Sequence, residues 1–289
     1  MSEEVKKEEQ AVVQTKAELL AALQNDFATA VNKVYLNSVD KEFAFREISV
    51  EEQKSLTRMM SANESRKDII YDAQCAIINK ASLTPGFDIY QFSDFDRLKL
   101  LLSLYQENMF QNQVKFTCEE CGTENAYQID FANTIAKLDA YKLEKKTFEY
   151  ENRNFKYVFE IEYPTVKLVS RFHQSYCAKH GGRPVKREKK ANEIMTNLEY
   201  VNLFIKSVTV ETKANGNKRE IVFANYKVGD IEDILAAFPQ DVLYTEKGAL
   251  KFIVNEYLKP VNDAFDKHEC AQCGAVHEKG SMASSESFF

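Results

Sequence analysis

Four of the six cysteines in this chain fall into two copies of one short motif, Cys-x-x-Cys-Gly. The first is Cys118-Glu119-Glu120-Cys121-Gly122 and the second is Cys270-Ala271-Gln272-Cys273-Gly274. Two cysteines separated by two residues turn both thiols to one side of a tight loop. The glycine after the second cysteine tolerates the positive φ that aims backbone N–H groups at the sulfurs. Two such knuckles supply four thiolates, the tetrahedral set that a structural zinc prefers. In a chain folding in a cytosol this usage reads as metal binding before disulfides. The expectation is one closed zinc site built from Cys118, Cys121, Cys270 and Cys273. More than half of the chain separates the two knuckles, so a shared ion would tie the end of the chain to its middle and couple metal binding to folding. The alternative is two half-sites completed by other ligands, with His268 and His277 flanking the second knuckle.

The other two cysteines read differently. Cys75 lies in the apolar helical run Ile69 to Ile78 and is expected as a small core residue. Cys177-x-x-His180 has half of a metal spacing but no second half nearby, and is expected as ordinary helix-end chemistry. A redox reading of the knuckles needs Cys-x-x-Cys at the start of a helix. The residues after Cys121 look like strand instead.

The elements that must hold these knuckles are of both kinds. Leu19, Leu20, Leu23, Phe27, Val31 and Val34 recur at helical spacing and predict an amphipathic helix over Lys16 to Val39. Phe43 to Ile48 reads as a short strand. Ser49 with Glu52 three residues on predicts a capped helix to about Met60. Further helices are expected over Asn63 to Lys80 and from Ser93 to about Asn108. Val114 to Thr117 and Tyr127 to Ile129 then flank the first knuckle as a hairpin. A second hairpin turns at Glu151-Asn152-Arg153-Asn154, with Tyr157, Phe159 and Ile161 on one face. Pro164 to His180 and Lys189 to Phe204 read as helical. A third hairpin turns at Asn215-Gly216. Asp230 is expected to cap a helix to Phe238, and Val242 to Leu258 to form a last helix. The fold class is α+β: a helical N-terminal part, antiparallel hairpins and a zinc-ribbon-like element made from two distant knuckles. The domain division is 1–45 for an N-terminal arm and helix, 46–112 for a helical domain, and 113–289 for an α+β domain carrying both knuckles.

Composition narrows the function classes. Hydrophobic residues make up 44% and charged residues 28%, a globular balance. No run reaches the roughly 18 to 20 apolar residues of a membrane span. Met1-Ser2-Glu3-Glu4 lacks the layout of a signal peptide, so folding in a cytosol is expected. The net charge of −6 weakens a nucleic-acid reading, and Glu119, Glu120 and Glu124 at the first knuckle would repel phosphate. The basic run Arg183 to Lys190 is expected as a solvated loop. No Gly-rich phosphate loop, nucleophile elbow or His-Glu-x-x-His occurs. A site with four protein ligands leaves no open position for substrate, which argues for structural metal and no enzyme.

The order of these motifs resembles the baseplate hub subunit family of T-even-type contractile-tail phages. A helical block at Ser49 to Lys80 is followed by Phe95-Asp96-Arg97-Leu98-Lys99-Leu100-Leu101-Leu102-Ser103-Leu104. That helix leads into Val114 to Gly122. Ile205-Lys206-Ser207-Val208 precedes the helix end Asp233 to Pro239, and the last knuckle sits near the C-terminus. The resemblance covers Ser49 to Phe289 and leaves the N-terminal helix outside it. It implies a structural or assembly component of a tail baseplate, near its hub, in the virion and assembled in the host cytoplasm. The partners it implies are other tail and baseplate proteins, with no small-molecule substrate or membrane. Leu19, Leu23, Phe27 and Val31 on the N-terminal helix, and Phe288 and Phe289 at the C-terminus, are the candidate partner contacts. A zinc-ribbon nucleic-acid-binding or transcription factor is the alternative, which retention on heparin at low salt separates from the first reading.

Overall fold

The computed structural model describes residues 15, 18–19, 31–63, 66–106, 113–118, 120–128, 130–180, 200–265 and 268–277. Its elements are helices and antiparallel sheets, the α+β class read from the sequence.

The first described sheet is a hairpin, β1 (Val31–Leu36) with β2 (Lys41–Arg46). This corrects the helix expected over Lys16 to Val39. Val34 and Leu36 are buried on alternate positions, so the period here is two. Asp40 takes a left-handed φ of 52°, and its carboxylate accepts from Tyr35 Oη at 2.5 Å. Asp tolerates that conformation through local hydrogen bonding. Leu23 and Phe27, from the rest of that expected helix, lie outside the described residues, while Leu19 is a half-exposed helical position.

Three helices follow: α1 (Val50–Ala62), α2 (Lys67–Ala81) and α3 (Asp94–Gln106). Ser49 caps α1 as expected, with Glu52 N donating to Ser49 Oγ at 3.2 Å and Ser49 N donating back to the Glu52 carboxylate at 3.0 Å. The same carboxylate receives Arg46 from β2 and Lys80 from α2, which joins three elements. Ser93 caps α3 through Asp96 N at 3.1 Å. α3 is buried nearly all round, including Asp94, Asp96, Arg97 and Lys99. Its buried charges find partners: Arg97 pairs with Asp94 at 2.6 Å inside, Lys99 reaches the half-exposed Asp139 at 2.5 Å, and Asp96 accepts from Ser93 Oγ at 2.6 Å.

The main sheet has the order β5 (Lys146–Glu151), β6 (Phe155–Ile161), β7 (Ile205–Thr212), β8 (Lys218–Val222), all antiparallel. Phe148, Phe159 and Val208 sit opposite one another across three strands. Tyr157, Phe159 and Ile161 are buried and Glu160 is exposed, the alternation expected of a half-covered sheet. The outer face carries cross-strand ion pairs, Lys156 with Glu149 and Lys218 with Glu211. Gly216 has φ 66° at the expected Asn-Gly turn.

The apolar face is covered by α6 (Val228–Ala236), α7 (Gln240–Leu243) and α8 (Ala249–Ile253), through Ile231, Leu235, Val242, Leu243 and Ile253. Two expectations are corrected here. Asp230 sits inside the first turn of α6 and accepts from Lys227 N at 3.3 Å, so the helix starts earlier than a cap at Asp230 implies. The helix expected over Val242 to Leu258 is broken between Leu243 and Ala249. Gly248 lies against the preceding turn, where an added Cβ would meet Leu243 O at 2.5 Å. After α8 a π-helical turn (Val254–Leu258) runs into α9 (Lys259–Ala264). The turn places Tyr257 in the core, where its hydroxyl donates to Ile161 O at 2.7 Å.

Two further helices pack around these elements. α4 (Phe131–Asp139) follows the first knuckle, and α5 (Val166–His180) packs on α2. Cys75 is fully buried in that core, as expected, and burial pushes its thiol up to about 12.

Candidate metal centre

The first knuckle sits on the hairpin of β3 (Gln113–Thr117) and β4 (Glu124–Gln128). Thr117 pairs with Glu124, so the loop between them holds Cys118 to Thr123. The second sits on a shorter hairpin of β9 (His268–Glu269) and β10 (Val276–His277), where Glu269 pairs with Val276. The two loops share one backbone design. Gly122 N donates to Cys118 O and Cys118 N to Thr123 O, both at 2.9 Å. Gly274 N donates to Cys270 O and Cys270 N to Ala275 O, again at 2.9 Å. Gly122 and Gly274 have φ of 73° and 71°, a region L side chains rarely enter, so both loops need glycine there.

A third apolar cluster aims the two hairpins at each other. α3 enters the first hairpin, α4 leaves it, and α9 enters the second. Phe95 and Leu102 of α3, Phe131 and Leu138 of α4, and Val261 and Ala264 of α9 pack together with Phe265. The burial of these side chains brings the two hairpins together.

The convergence is tight. Cys118 Sγ lies 3.7 Å from Cys273 Sγ, and Cys121 Sγ lies 3.6 Å from Cys270 Sγ. All four sulfurs fall within 4.8 Å of one another. Four sulfurs about 2.3 Å from one zinc would stand roughly 3.8 Å apart along the edges of a tetrahedron. The close pairs match that edge and are far too long for disulfide bonds. Each close pair joins one knuckle to the other. Four sulfur donors in one place mean that neither knuckle needs a histidine to complete a set of four.

The surroundings favour thiolate over thiol at part of the cluster. N–H groups of Cys273 and Gln272 hold the Cys270 thiol below its usual range. The Thr123 hydroxyl and N–H do the same for Cys121. At Cys273 the N–H of Ala275 acts in the same direction, but desolvation and three neighbouring thiols outweigh it and the pKa rises. A cation at the centre would remove that crowding by taking the protons' place. Cys118 and Cys270 are buried, while Cys121 and Cys273 reach the surface. Glu120, Glu124 and Glu269 are exposed around the site and keep its rim acidic.

Asn125 is the residue that sequence reasoning missed. It stands on β4 opposite Phe116. Its Oδ1 accepts from Ala271 N of the other knuckle at 3.0 Å. Its Nδ2 donates to Thr123 O at 2.9 Å and lies 3.5 Å from Cys270 Sγ. An asparagine four residues after a Cys-x-x-Cys motif reads as an ordinary polar strand position, so no sequence signal marked it.

The remaining candidates lie apart from this centre. Val31 is on a strand, half exposed, and pairs with Arg46. Leu23, Phe27, Phe288 and Phe289 lie outside the described residues. Cys177 is buried near Asp68 and Arg66, and burial raises its thiol pKa. Among the described residues, the four knuckle cysteines are the group with metal-holding geometry, and no helix is long and apolar enough to cross a membrane.

Two distant knuckles that bring four thiols together give this α+β chain a zinc-ribbon-like element. The chain belongs to the T4 bacteriophage base plate protein family, whose pattern matches residues 28–289. It is therefore a structural component of a phage baseplate, located in the virion tail and in contact with other tail proteins. The match reaches further toward the N-terminus than the motif resemblance did and takes in the β1–β2 hairpin. No curated protein and no solved structure matches the chain.

Proposed function

We propose that this chain works in the hub region of a contractile-tail baseplate, as a structural subunit or assembly factor that acts through protein–protein contacts and catalyses no reaction. The family match over nearly the whole chain supports the baseplate role, and the ordered motifs from Ser49 to the second knuckle support the hub. We further propose that Cys118, Cys121, Cys270 and Cys273 hold one structural zinc. The observation that carries this is the convergence of four sulfurs within 4.8 Å from loops 149 positions apart. All four corners of such a site are protein atoms, so bound zinc would have no vacant position for a substrate.

A zinc staple suits a subunit that acts through protein–protein contacts. It cross-links the chain without a disulfide, and so survives the reducing cytoplasm in which the particle is built. The proposed contact elements are the segment with Leu19, Leu23 and Phe27, the exposed strand residue Val31, and the terminal Phe288-Phe289. Co-expression with neighbouring tail proteins tests them. Deletion of Ser284 to Phe289 is expected to reduce co-purification, and unchanged recovery would remove the terminal phenylalanines from the list. A cryo-EM map of the assembled tail tests the hub position, with density at the central axis expected and density confined to the periphery opposed to it.

A further inference from the structure

The geometry points to Asn125 as a positioning residue for the metal centre, a fifth side chain that registers one knuckle on the other and donates to a ligand sulfur. This inference rests on the zinc reading above. Asn125 belongs to the first hairpin, yet both ends of its amide reach the second knuckle. The Oδ1 accepts the Ala271 N–H at 3.0 Å, and the Nδ2 lies 3.5 Å from Cys270 Sγ while also donating to Thr123 O at 2.9 Å.

These contacts have two separable consequences. The Ala271 contact holds the second loop at a fixed distance from β4, since Ala271 lies between the two ligands of that loop. This contact is between protein atoms only, and it ties the second loop directly to the first hairpin. The Nδ2–H contact to Cys270 withdraws charge from a sulfur that a zinc ion would share. The Nδ2 is also held on Thr123 O in the first loop, which fixes the amide's orientation and decides which end faces the sulfur. Side chains that orient the ligands of a metal site in this way affect its affinity by about 10–100-fold when removed. The carboxamide is the group that fits both tasks. A carboxylate of the same size keeps the acceptor for Ala271 but has no N–H for the sulfur, and sets a negative charge beside a thiolate.

Two variants of the full chain separate the consequences. In each, zinc content and affinity are measured by competition with a chromophoric chelator, and cobalt(II) is substituted to read the sulfur-to-metal charge-transfer band. Asn125→Ala loses both contacts, and Asn125→Asp loses only the donor. The expected result is zinc affinity lowered about 10-fold or more in both variants. The cobalt band of Asn125→Asp is expected to move to lower energy, because its thiolate is more electron-rich. A merely structural role for Asn125 would not move that band in the aspartate variant. Wild-type affinity and band position in Asn125→Asp overturn the donor claim, and wild-type affinity in Asn125→Ala overturns the positioning role altogether. If Asn125→Ala fails to fold, the aspartate variant alone decides. A wild-type chain that binds no zinc or cobalt instead overturns the metal reading itself, which keeps the two failures distinct.

Discussion

Cys118 Sγ and Cys273 Sγ stand 3.7 Å apart although the two residues are 155 positions apart in the chain. The closeness is produced by apolar packing some distance away. Phe95, Leu102, Phe131 and Leu138 meet Val261, Ala264 and Phe265, and that cluster fixes the approach of both hairpins. The two close thiol pairs then sit at the edge length of a zinc–sulfur tetrahedron, and one ion would convert a packed arrangement into a cross-linked one.

Removing the ion should cost stability without dissolving the core. A ligand that binds only the folded state contributes about 4 kcal/mol when its free concentration is 1,000 times its Kd. Cys270→Ser is expected to lose zinc and to lower the thermal midpoint by several degrees. Limited proteolysis should then cut after Phe265, where the second knuckle joins the core. A variant with the wild-type midpoint and digestion pattern would count against the staple.

Gly248→Ala is expected to destabilise the chain by about 1–3 kcal/mol. The backbone there is extended, with φ −88°, so alanine meets no conformational barrier. The cost arises because its Cβ would lie 2.5 Å from Leu243 O and 2.7 Å from Leu243 C, both backbone atoms. Urea denaturation measures it, and a midpoint equal to wild type would show that the turn between α7 and α8 yields freely.

Asp94→Asn is expected to cost about 3–5 kcal/mol. Asp94 accepts from Arg97 Nε, Tyr71 Oη and Tyr200 Oη, joining α2, α3 and the segment before β7. Burial works to raise its pKa, but Arg97 and the hydroxyls outweigh burial and hold it below the usual carboxylate range. The asparagine leaves the Arg97 guanidinium buried without a counter-charge. A loss under about 1 kcal/mol in urea denaturation would mean that water reaches Arg97.

His173 should make stability fall with pH on the acid side of neutral. Its ring packs on Tyr71 and Phe172. Burial pushes its pKa down from 6.5 to about 4, and Arg97 and Lys67 add to this against Asp94 and Asp68. Between those values the unfolded chain binds the proton and the folded chain does not. The contribution is therefore fully present above pH 6.5 and is lost as pH falls through 4. His173→Gln is expected to flatten the stability profile over that window by at most ~1.4 kcal/mol per pH unit. An unchanged slope would assign the acid dependence to the carboxylates.

Local features of this fold were legible in the sequence. The cap at Ser49, the Asn215-Gly216 turn and the alternation in β6 each follow from residues a few positions apart, and each appears where expected. The N-terminal helix was misread in part. Val31 and Val34 fit a helical spacing, but the pairing of Val34 with Phe43 and of Leu36 with Lys41 prevails, because it buries Val34 and Leu36 on one face. That choice depends on a partner strand and a core, which a window of residues does not contain. The helix read from Val242 to Leu258 missed a break whose signal, Gly248, was visible.

The centre divides in the same way. The four cysteines were legible as two matching motifs, since thiol spacing and a following glycine are local facts. Their meeting depends on α3, α4 and α9 packing together, which no spacing reports. Asn125 was not legible at all. Its role exists only because a loop from the far end of the chain arrives within hydrogen-bond distance of it.

Zinc-edge X-ray absorption on the purified full chain, with elemental analysis of the same sample, tests the shared site most directly. The expected result is one zinc per chain surrounded by four sulfurs at about 2.3 Å, the distance of a zinc thiolate. A chain purified without metal, or a zinc ringed by nitrogen and oxygen in place of two of those sulfurs, would contradict it.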